Sequence, residues 1–253
     1  MLKEKLRSNS LTLGSWISLH NPAIAEIMAN AGYDWLVIDL EHSVISIKEA
    51  GELIRVIDLC GVAPLVRLTS NDANQIKRVM DAGAHGIVVP MVNTIENAER
   101  AVAATRYAPK GVRGVGLSRA QGYGTKFKEY LKWQDDEPVV IVQIEHISAV
   151  AQLEGILKVP GVDGFIIGPY DLSCSMGIPG QFDNDKFVNI ITEIRDTGKR
   201  LKCTAGTHLV EPDVQKLEQC IEEGYGFIAY SVDIRLLDVG ARKGVIKKSE
   251  MIT

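Results

Sequence analysis

VVIVQIE (139–145) and GFIIG (164–168) decide the fold of this chain. Each is a short, almost unbroken apolar run rich in β-branched residues, the pattern of a strand covered on both faces. Outward from these two, six further runs read as strands: TLGSWIS (12–18), WLVID (35–39), PLVRL (64–68), GIVVP (86–90), LKCTAG (201–206) and GFIAY (226–230). Between them lie segments such as PAIAEIMANAG (22–32), SIKEAGELIRVIDLCG (46–61) and DANQIKRVMDAG (72–83), with apolar residues three or four apart and frequent terminal glycines. That is the spacing and stop signal of helices. Eight strand–helix alternations predict an α/β fold, a parallel sheet wrapped by helices and closed into a (β/α)8 TIM barrel. An open doubly wound sheet is the rival, but no G-x-G-x-x-G stands between a strand and a helix.

A barrel of this kind reaches about 250 residues as one unit, so residues 1–253 are expected to form a single domain. The one long irregular segment expected is APKGVRGVGLSRAQGYGTKFKEYLKWQDDEP (108–138), and a loop of that length usually carries function. RKGVIKKSEMIT (242–253) has little core pattern and is expected to fray or to reach a neighbouring subunit. The N-terminal MLKEKLRSNS places charge where a signal peptide would be apolar and reads as an amphipathic helix, which predicts a cytoplasmic protein.

The net charge of −4 comes from interleaved acids and bases, with none of the basic striping that nucleic-acid binding requires. No apolar run approaches the roughly 20 residues of a membrane span. Nucleic acid and membrane are therefore not expected partners. Cys60, Cys174, Cys203 and Cys220 lie far apart without a C-x-x-C pair, and read as buried, reduced thiols.

In a TIM barrel the C-terminal strand ends build the active site, and here those ends are polar. Strand two ends in Asp39, Glu41 and His42, strand three carries Arg67, strand five ends with Gln143 and Glu145, and strand six runs into Gly168, Pro169, Tyr170 and Asp171. Gln143 and Glu145 are two apart and leave the same face of their strand, where Val/Ile neighbours make an unpaired carboxylate expensive. A cation shared with Asp171 on the adjacent strand end would relieve that expense, and two carboxylates with water and substrate oxygens suit a hard ion such as Mg2+ or Mn2+. The plainer alternatives are a salt bridge for Glu145 and an N-cap role for Asp171. His42, beside two acids, is a candidate general base or a loop histidine satisfied by a hydrogen bond. Arg67, inside PLVRL, needs an anion at the mouth, a protein carboxylate or a substrate oxygen, and substrate is the preferred reading. His146 is expected to face away from Glu145, and His20, His85 and His208 have no acidic neighbours in sequence. Lys202 reads as a strand-start residue rather than a Schiff-base lysine. RGVGLSRAQGYG (113–124) offers backbone N–H groups to a carboxylate or phosphate, a weak signal alone.

Taken together, WLVIDLEHS (35–43), PLVRL (64–68), HGIVVPMV (85–92), RYAPKGVRGVG (106–116), VQIE (142–145) and GVDGFIIGPYDLSCSMG (161–177) resemble, in order and spacing, the HpcH/HpaI family of class II, metal-dependent pyruvate aldolases. The resemblance spans nearly the whole chain. It implies reversible cleavage of a 4-hydroxy-2-oxo acid to pyruvate and an aldehyde, with a divalent ion (Mg2+, Mn2+ or Co2+) stabilising the enolate. Carried over, Glu145 and Asp171 are the metal ligands, His42 the base and Arg67 the residue that steadies the enolate oxygen. Trp16, Gln143, Gly168 and Tyr170 fall at substrate-pocket positions, and Asp39 and Asp81 match acids that orient the histidine network. Tyr170 departs from the pattern, standing where many members carry a small residue, and would narrow the aldehyde side of the pocket. The family also implies a homohexamer with exchanged C-terminal helices. Rival readings are a phosphonopyruvate hydrolase-like or CoA-ester lyase-like enzyme of the same enolate logic, and a non-catalytic barrel that binds a 2-oxo acid.

Overall fold

Strands without a polar face must be covered on both sides, and closure into a cylinder does this while removing every sheet edge. A computed structural model describes residues 1–252 of the chain, with side chains described through Lys248. In it β1 (Thr12–Ile17), β2 (Trp35–Asp39), β3 (Ala63–Arg67), β4 (Gly86–Val89), β5 (Val139–Ile144), β6 (Gly164–Ile167), β7 (Thr204–Leu209) and β8 (Phe227–Val232) form a closed barrel in chain order. All pairings are parallel, and β8 returns to β1. The expected (β/α)8 architecture is the observed one.

A short α1 (Leu2–Arg7) precedes β1, and α2 (Pro22–Ala29), α3 (Ile47–Leu59), α4 (Ala73–Ala82) and α5 (Ile95–Thr105) follow β1 to β4 in turn. The segment expected to be irregular instead contains a 3-10 turn (Arg119–Gly124) and α6 (Phe127–Asp136) before β5. Next, α7 (Ile147–Val150) and α8 (Leu153–Leu157) lead to β6, α9 (Pro169–Ser175) and α10 (Asp185–Leu201) to β7, and α11 (Val214–Glu222) to β8. The last helix is α12 (Asp233–Ile252). Helix starts follow the side chains that cap them: Ser46 with Glu49 forms a capping box on α3, and Asp72 and Thr94 cap α4 and α5. Among the described residues no helix is long and apolar enough to cross a membrane.

The strand that departs most from the sequence reading is β7, displaced at both ends. Lys202 is the left-handed C-cap of α10 (φ 56°), not a strand residue, so β7 begins at Thr204 and extends to Leu209. The cysteines are free as expected, but Cys174 is exposed and the other three are half-buried rather than buried.

Alternation along the strands sorts the core into two layers. Outward residues such as Leu36, Ile38, Val66 and Val140 pack against the helices, while inward Trp35, Val37, Leu65, Val88, Ile141 and Phe227 fill the barrel. Each such fully buried side chain contributes about 1.5–3 kcal/mol. Trp35 and Phe227 stack 3.9 Å apart across the interior, and Gly14 is required beside them because a Cβ there would enter the Trp35 ring. The floor is closed by α1, whose Leu6 joins the interior cluster. Its Lys3 reaches inward to donate to the Pro138 carbonyl (2.6 Å) and Asp163 (2.8 Å). One pleat above the apolar filling, the inward positions turn polar.

Candidate active site

The inward series Trp35–Val37–Asp39, Leu65–Arg67 and Ile141–Gln143–Glu145 carry three strands from the apolar filling to the mouth. Asp39 and Arg67 are register partners on β2 and β3. Their side chains form a bidentate pair, Nε to Oδ1 at 2.9 Å and Nη2 to Oδ2 at 2.7 Å. Asp39 Oδ1 also accepts the backbone N–H groups of Glu41 and His42. Burial opposes ionisation of Asp39, but the Arg67 guanidinium and these N–H donors outweigh it and hold the carboxyl below its ordinary range. Arg67 additionally lies 3.3 Å from Glu41 through Nη1 and stacks 4.3 Å above the Trp16 ring. Its charge is met in this structure by two protein carboxylates on the neighbouring strand end, Asp39 and Glu41.

Glu145 has no such cation. It is 3% exposed; Oε1 accepts the Met91 N–H at 2.6 Å and Oε2 accepts from the Gln143 amide. Among the described residues no Lys, Arg or His forms an ion pair with it. Burial, with the charge of Asp171 added, pushes its pKa up against the pull of those two hydrogen bonds and the more distant field of Arg67. Met91 sits at φ 52°, a conformation a non-glycine residue rarely adopts, and this turns its N–H onto the carboxylate. Gly168 leaves the other side of Glu145 open, since a Cβ there would lie 2.9 Å from Oε2. Glu41 is raised to about 7 by burial, incompletely offset by Arg67 and aggravated by Glu145, Asp39 and Asp171. Its Oε2 is buried without a hydrogen bond, as are Gln143 Oε1 and Trp16 Nε1.

Asp171 lies in the first turn of α9 rather than capping it, exposed at the mouth. His42 is also at the mouth, 68% exposed, with its ring 3.9 Å from Glu41 and bonded to no carboxylate. Asp39 therefore fixes the His42 backbone, not its imidazole. Asp81 is not brought to the site at all: near the end of α4 it pairs with the buried Arg113 at 2.6 Å. His146 caps α7, as its alternation away from Glu145 implied. A cavity of about 300 Å³ opens between Trp16, Arg67, Gln143, Tyr170, Asp171 and His208. Tyr170, edge-on to Phe182, forms part of its outer wall. A larger cleft of about 510 Å³ lies by Trp133, but its Asp58 is already paired with both Arg119 and His85.

His208 is the residue the sequence reading passed over. It lies outside the run 201–206 that reads as a strand, but with β7 at Thr204–Leu209 it shares the inward face with Thr204 and Gly206. The period-two spacing was the available signal.

The donor set fits a hard cation. Glu145 and Asp171 are near enough to repel, Glu145 forms no ion pair among the described residues, and the glycine at 168 keeps its carboxylate approachable. Among the described residues no three His, Cys, Asp or Glu side chains stand together at ligand spacing. The fit is of two carboxylates completed by other oxygens.

Comparison with known proteins identifies the family. The chain is 40% identical over 240 residues to a pyruvate aldolase of Rhizobium etli, covering 94% of this chain and 93% of that one. It is 38% identical over 240 residues to the 2-keto-3-deoxy-L-rhamnonate aldolase of Escherichia coli K12, covering 92% and 87%. A solved HpcH/HpaI aldolase/citrate lyase family protein from Burkholderia cenocepacia superposes with a TM-score of 0.92 at 31% identity, over 98% of both chains. With the family's own model matching residues 12–238, the chain belongs to the HpcH/HpaI aldolase/citrate lyase family.

Proposed function

We propose that the chain is a metal-dependent carbon–carbon lyase that cleaves a 4-hydroxy-2-oxo acid reversibly to pyruvate and an aldehyde. The observation that carries this reading is Glu145: a buried carboxylate that forms no ion pair among the described residues and feels the charges of Asp171 and Glu41, beside a cavity lined by Gln143, Gly168 and Asp171. The names borne by the R. etli and E. coli relatives, a pyruvate aldolase and an aldolase of a 2-keto-3-deoxy sugar acid, support the same reaction class.

In this reading Glu145 and Asp171 hold a divalent ion, Mg2+, Mn2+ or Co2+. When bound, that ion supplies Lewis-acid stabilisation of negative charge on the 2-oxo acid. Arg67, locked by Asp39 and Glu41, shares the charge that develops on the C2 oxygen. His42, unencumbered at the mouth, takes the 4-hydroxyl proton as the C3–C4 bond breaks. The bonding pair passes into the C2–C3 enolate, which is reprotonated at C3 to give pyruvate. Gln143, Gly168 and Trp16 shape the pocket around the oxo acid, and Tyr170 narrows its outer end. Asp39 acts as a positioning residue for Arg67 and for the His42 backbone. Asp81 has no role in this reading, being committed to Arg113.

The reading also takes residues 1–253 as one cytoplasmic domain and the protein as a homo-oligomer, a hexamer by family analogy. Exposed Ile234, Leu237 and Ile246 on α12 support an exchange of that helix.

The test is pyruvate release from a 4-hydroxy-2-oxo acid before and after chelation. Activity is expected to vanish with excess EDTA and to return with Mg2+ or Mn2+. Turnover surviving full chelation, with covalent trapping by borohydride plus substrate, would overturn the metal mechanism in favour of a lysine adduct.

A further inference from the structure

The cavity has two unlike halves. Asp39, Glu41, Arg67, Glu145 and Asp171 line or border the side formed by β2, β3, β5 and β6, and every one of them is ionisable. The side formed by β1 and β7 presents Trp16, Val210 and His208. The charged groups whose fields reach His208 are Arg67 and Asp39, which neutralise one another.

His208 is fixed in one tautomer. Its Nε2 lies 3.0 Å from the Ser231 carbonyl oxygen, and because a carbonyl only accepts, Nε2 must carry the hydrogen. That carbonyl is itself positioned, by the Ser15 hydroxyl (3.2 Å) and by a backbone turn at Ser231 with φ 59°. Burial drives the imidazole down to about 4, so the ring is neutral at pH 7 and Nδ1 bears a lone pair. Nδ1 has no hydrogen-bond partner among the described residues, and it is not among the atoms sealed from solvent. The ring packs 5.2 Å from Trp16, which holds its plane against the cavity wall.

We infer that His208 is a specificity-determining residue: its Nδ1 accepts a hydrogen bond from a hydroxyl on the aldehyde-derived part of the substrate, selecting an uncharged hydroxyaldehyde over an aldehyde that carries a carboxylate. This rests on the lyase reading above. The ionic half takes the 2-oxo acid, so the carbons beyond C4 extend toward the β1–β7 half. A hydroxyl there meets an acceptor with no donor of its own. A carboxylate would meet a lone pair, and the one guanidinium near that side, Arg67 over the Trp16 ring, is already paired with Asp39 and Glu41.

The experiment is condensation of pyruvate with three aldehydes of similar length: glyceraldehyde, propionaldehyde and succinic semialdehyde. Wild type is compared with His208→Leu and with His208→Asn, whose Oδ1 stands in for Nδ1. In wild type, kcat/KM for glyceraldehyde is expected to exceed that for propionaldehyde by about tenfold, the worth of one neutral hydrogen bond, with the semialdehyde poorest. In His208→Leu the first ratio falls to near one, and His208→Asn restores much of it. Taking ratios within one sample cancels any loss of folded or active enzyme. An unchanged ratio in His208→Leu, or a wild-type preference for the semialdehyde, overturns the inference. Exchange of the pyruvate methyl protons with deuterium by wild type, which involves no aldehyde, tests the lyase reading separately. Its absence overturns that reading and the inference with it; its presence alongside an unchanged ratio overturns the inference alone.

Discussion

At the floor of the barrel the Lys3 ammonium sits 2.8 Å from Asp163, which also accepts the Val140 N–H, while Pro138 supplies a carbonyl to the lysine. At the rim Glu145 is as deeply buried but forms no ion pair among the described residues: it accepts two N–H donors, and the field of Arg67, itself paired with Asp39 and Glu41, is set against that of Asp171. Burial disfavours the charged form at both ends, lowering Lys3 and raising Asp163 and Glu145. At the floor an opposite charge opposes that push and the pair closes the barrel. At the rim the imbalance stays open toward a cavity. A buried carboxylate without an ion pair is the kind that a ligand or metal completes, so the contrast separates the end that closes the barrel from the end proposed to do the chemistry.

The largest effect expected from this contrast is at the rim. Glu145→Gln keeps the shape and removes the charge, and turnover should fall by about three orders of magnitude or more, the scale for loss of a charged group acting on a transition state. Stability should not fall with it. A group whose folded pKa is raised destabilises the fold when ionised at pH 7, and Gln143 Oε1, now without a partner, can accept from the new amide after a flip. Steady-state assay and urea unfolding of one preparation check both halves. A variant that keeps its turnover but unfolds early would make Glu145 structural and erase the contrast.

At the floor the expectation reverses. Asp163→Ala strands the Lys3 ammonium with only the Pro138 carbonyl, and breaking a buried pair from one side costs about 3–5 kcal/mol. The urea midpoint should drop accordingly, with turnover per folded molecule retained. A loss below about 1 kcal/mol, the scale of a surface pair, would mean that water reaches the floor and that α1 does not seal it.

Much of this contrast is legible in the residues themselves, for a geometric reason. Period-two alternation is local, so VVIVQIE alone places Gln143 and Glu145 on the inward face, and the repeated strand–helix pattern places that face inside a barrel. Partners are not local. Arg67 lies far along the chain from Asp39, and only the β2–β3 register makes them neighbours. Asp81 reads as a site acid until the fold turns α4 away and gives it Arg113. Lys202 sits in LKCTAG, whose mixed pattern hides a left-handed helix end, and that displaced boundary concealed His208. Glycine at 168 and the φ of Met91 matter because of what approaches them in space, which spacing along a chain does not encode.

His208 supplies a third way of handling an ionisable group, neither paired as at the floor nor left without an ion pair as Glu145 is, but held neutral. Its pKa falls from an ordinary 6.5 to about 4 on burial, so the unfolded chain binds a proton that the folded chain refuses. The stability this group leaves intact above pH 6.5 is lost as pH falls through the interval down to about 4. At pH 5 the loss from this one residue is about 2 kcal/mol. His208→Asn cannot titrate, so between pH 7 and pH 5 it should lose about 2 kcal/mol less than wild type in urea unfolding, every other group being common to both proteins. Equal losses would mean that His208 protonates in the folded state. The β1–β7 half of the cavity would then carry a positive charge in acid, and its neutrality, which sets it apart from the ionic half, would fail.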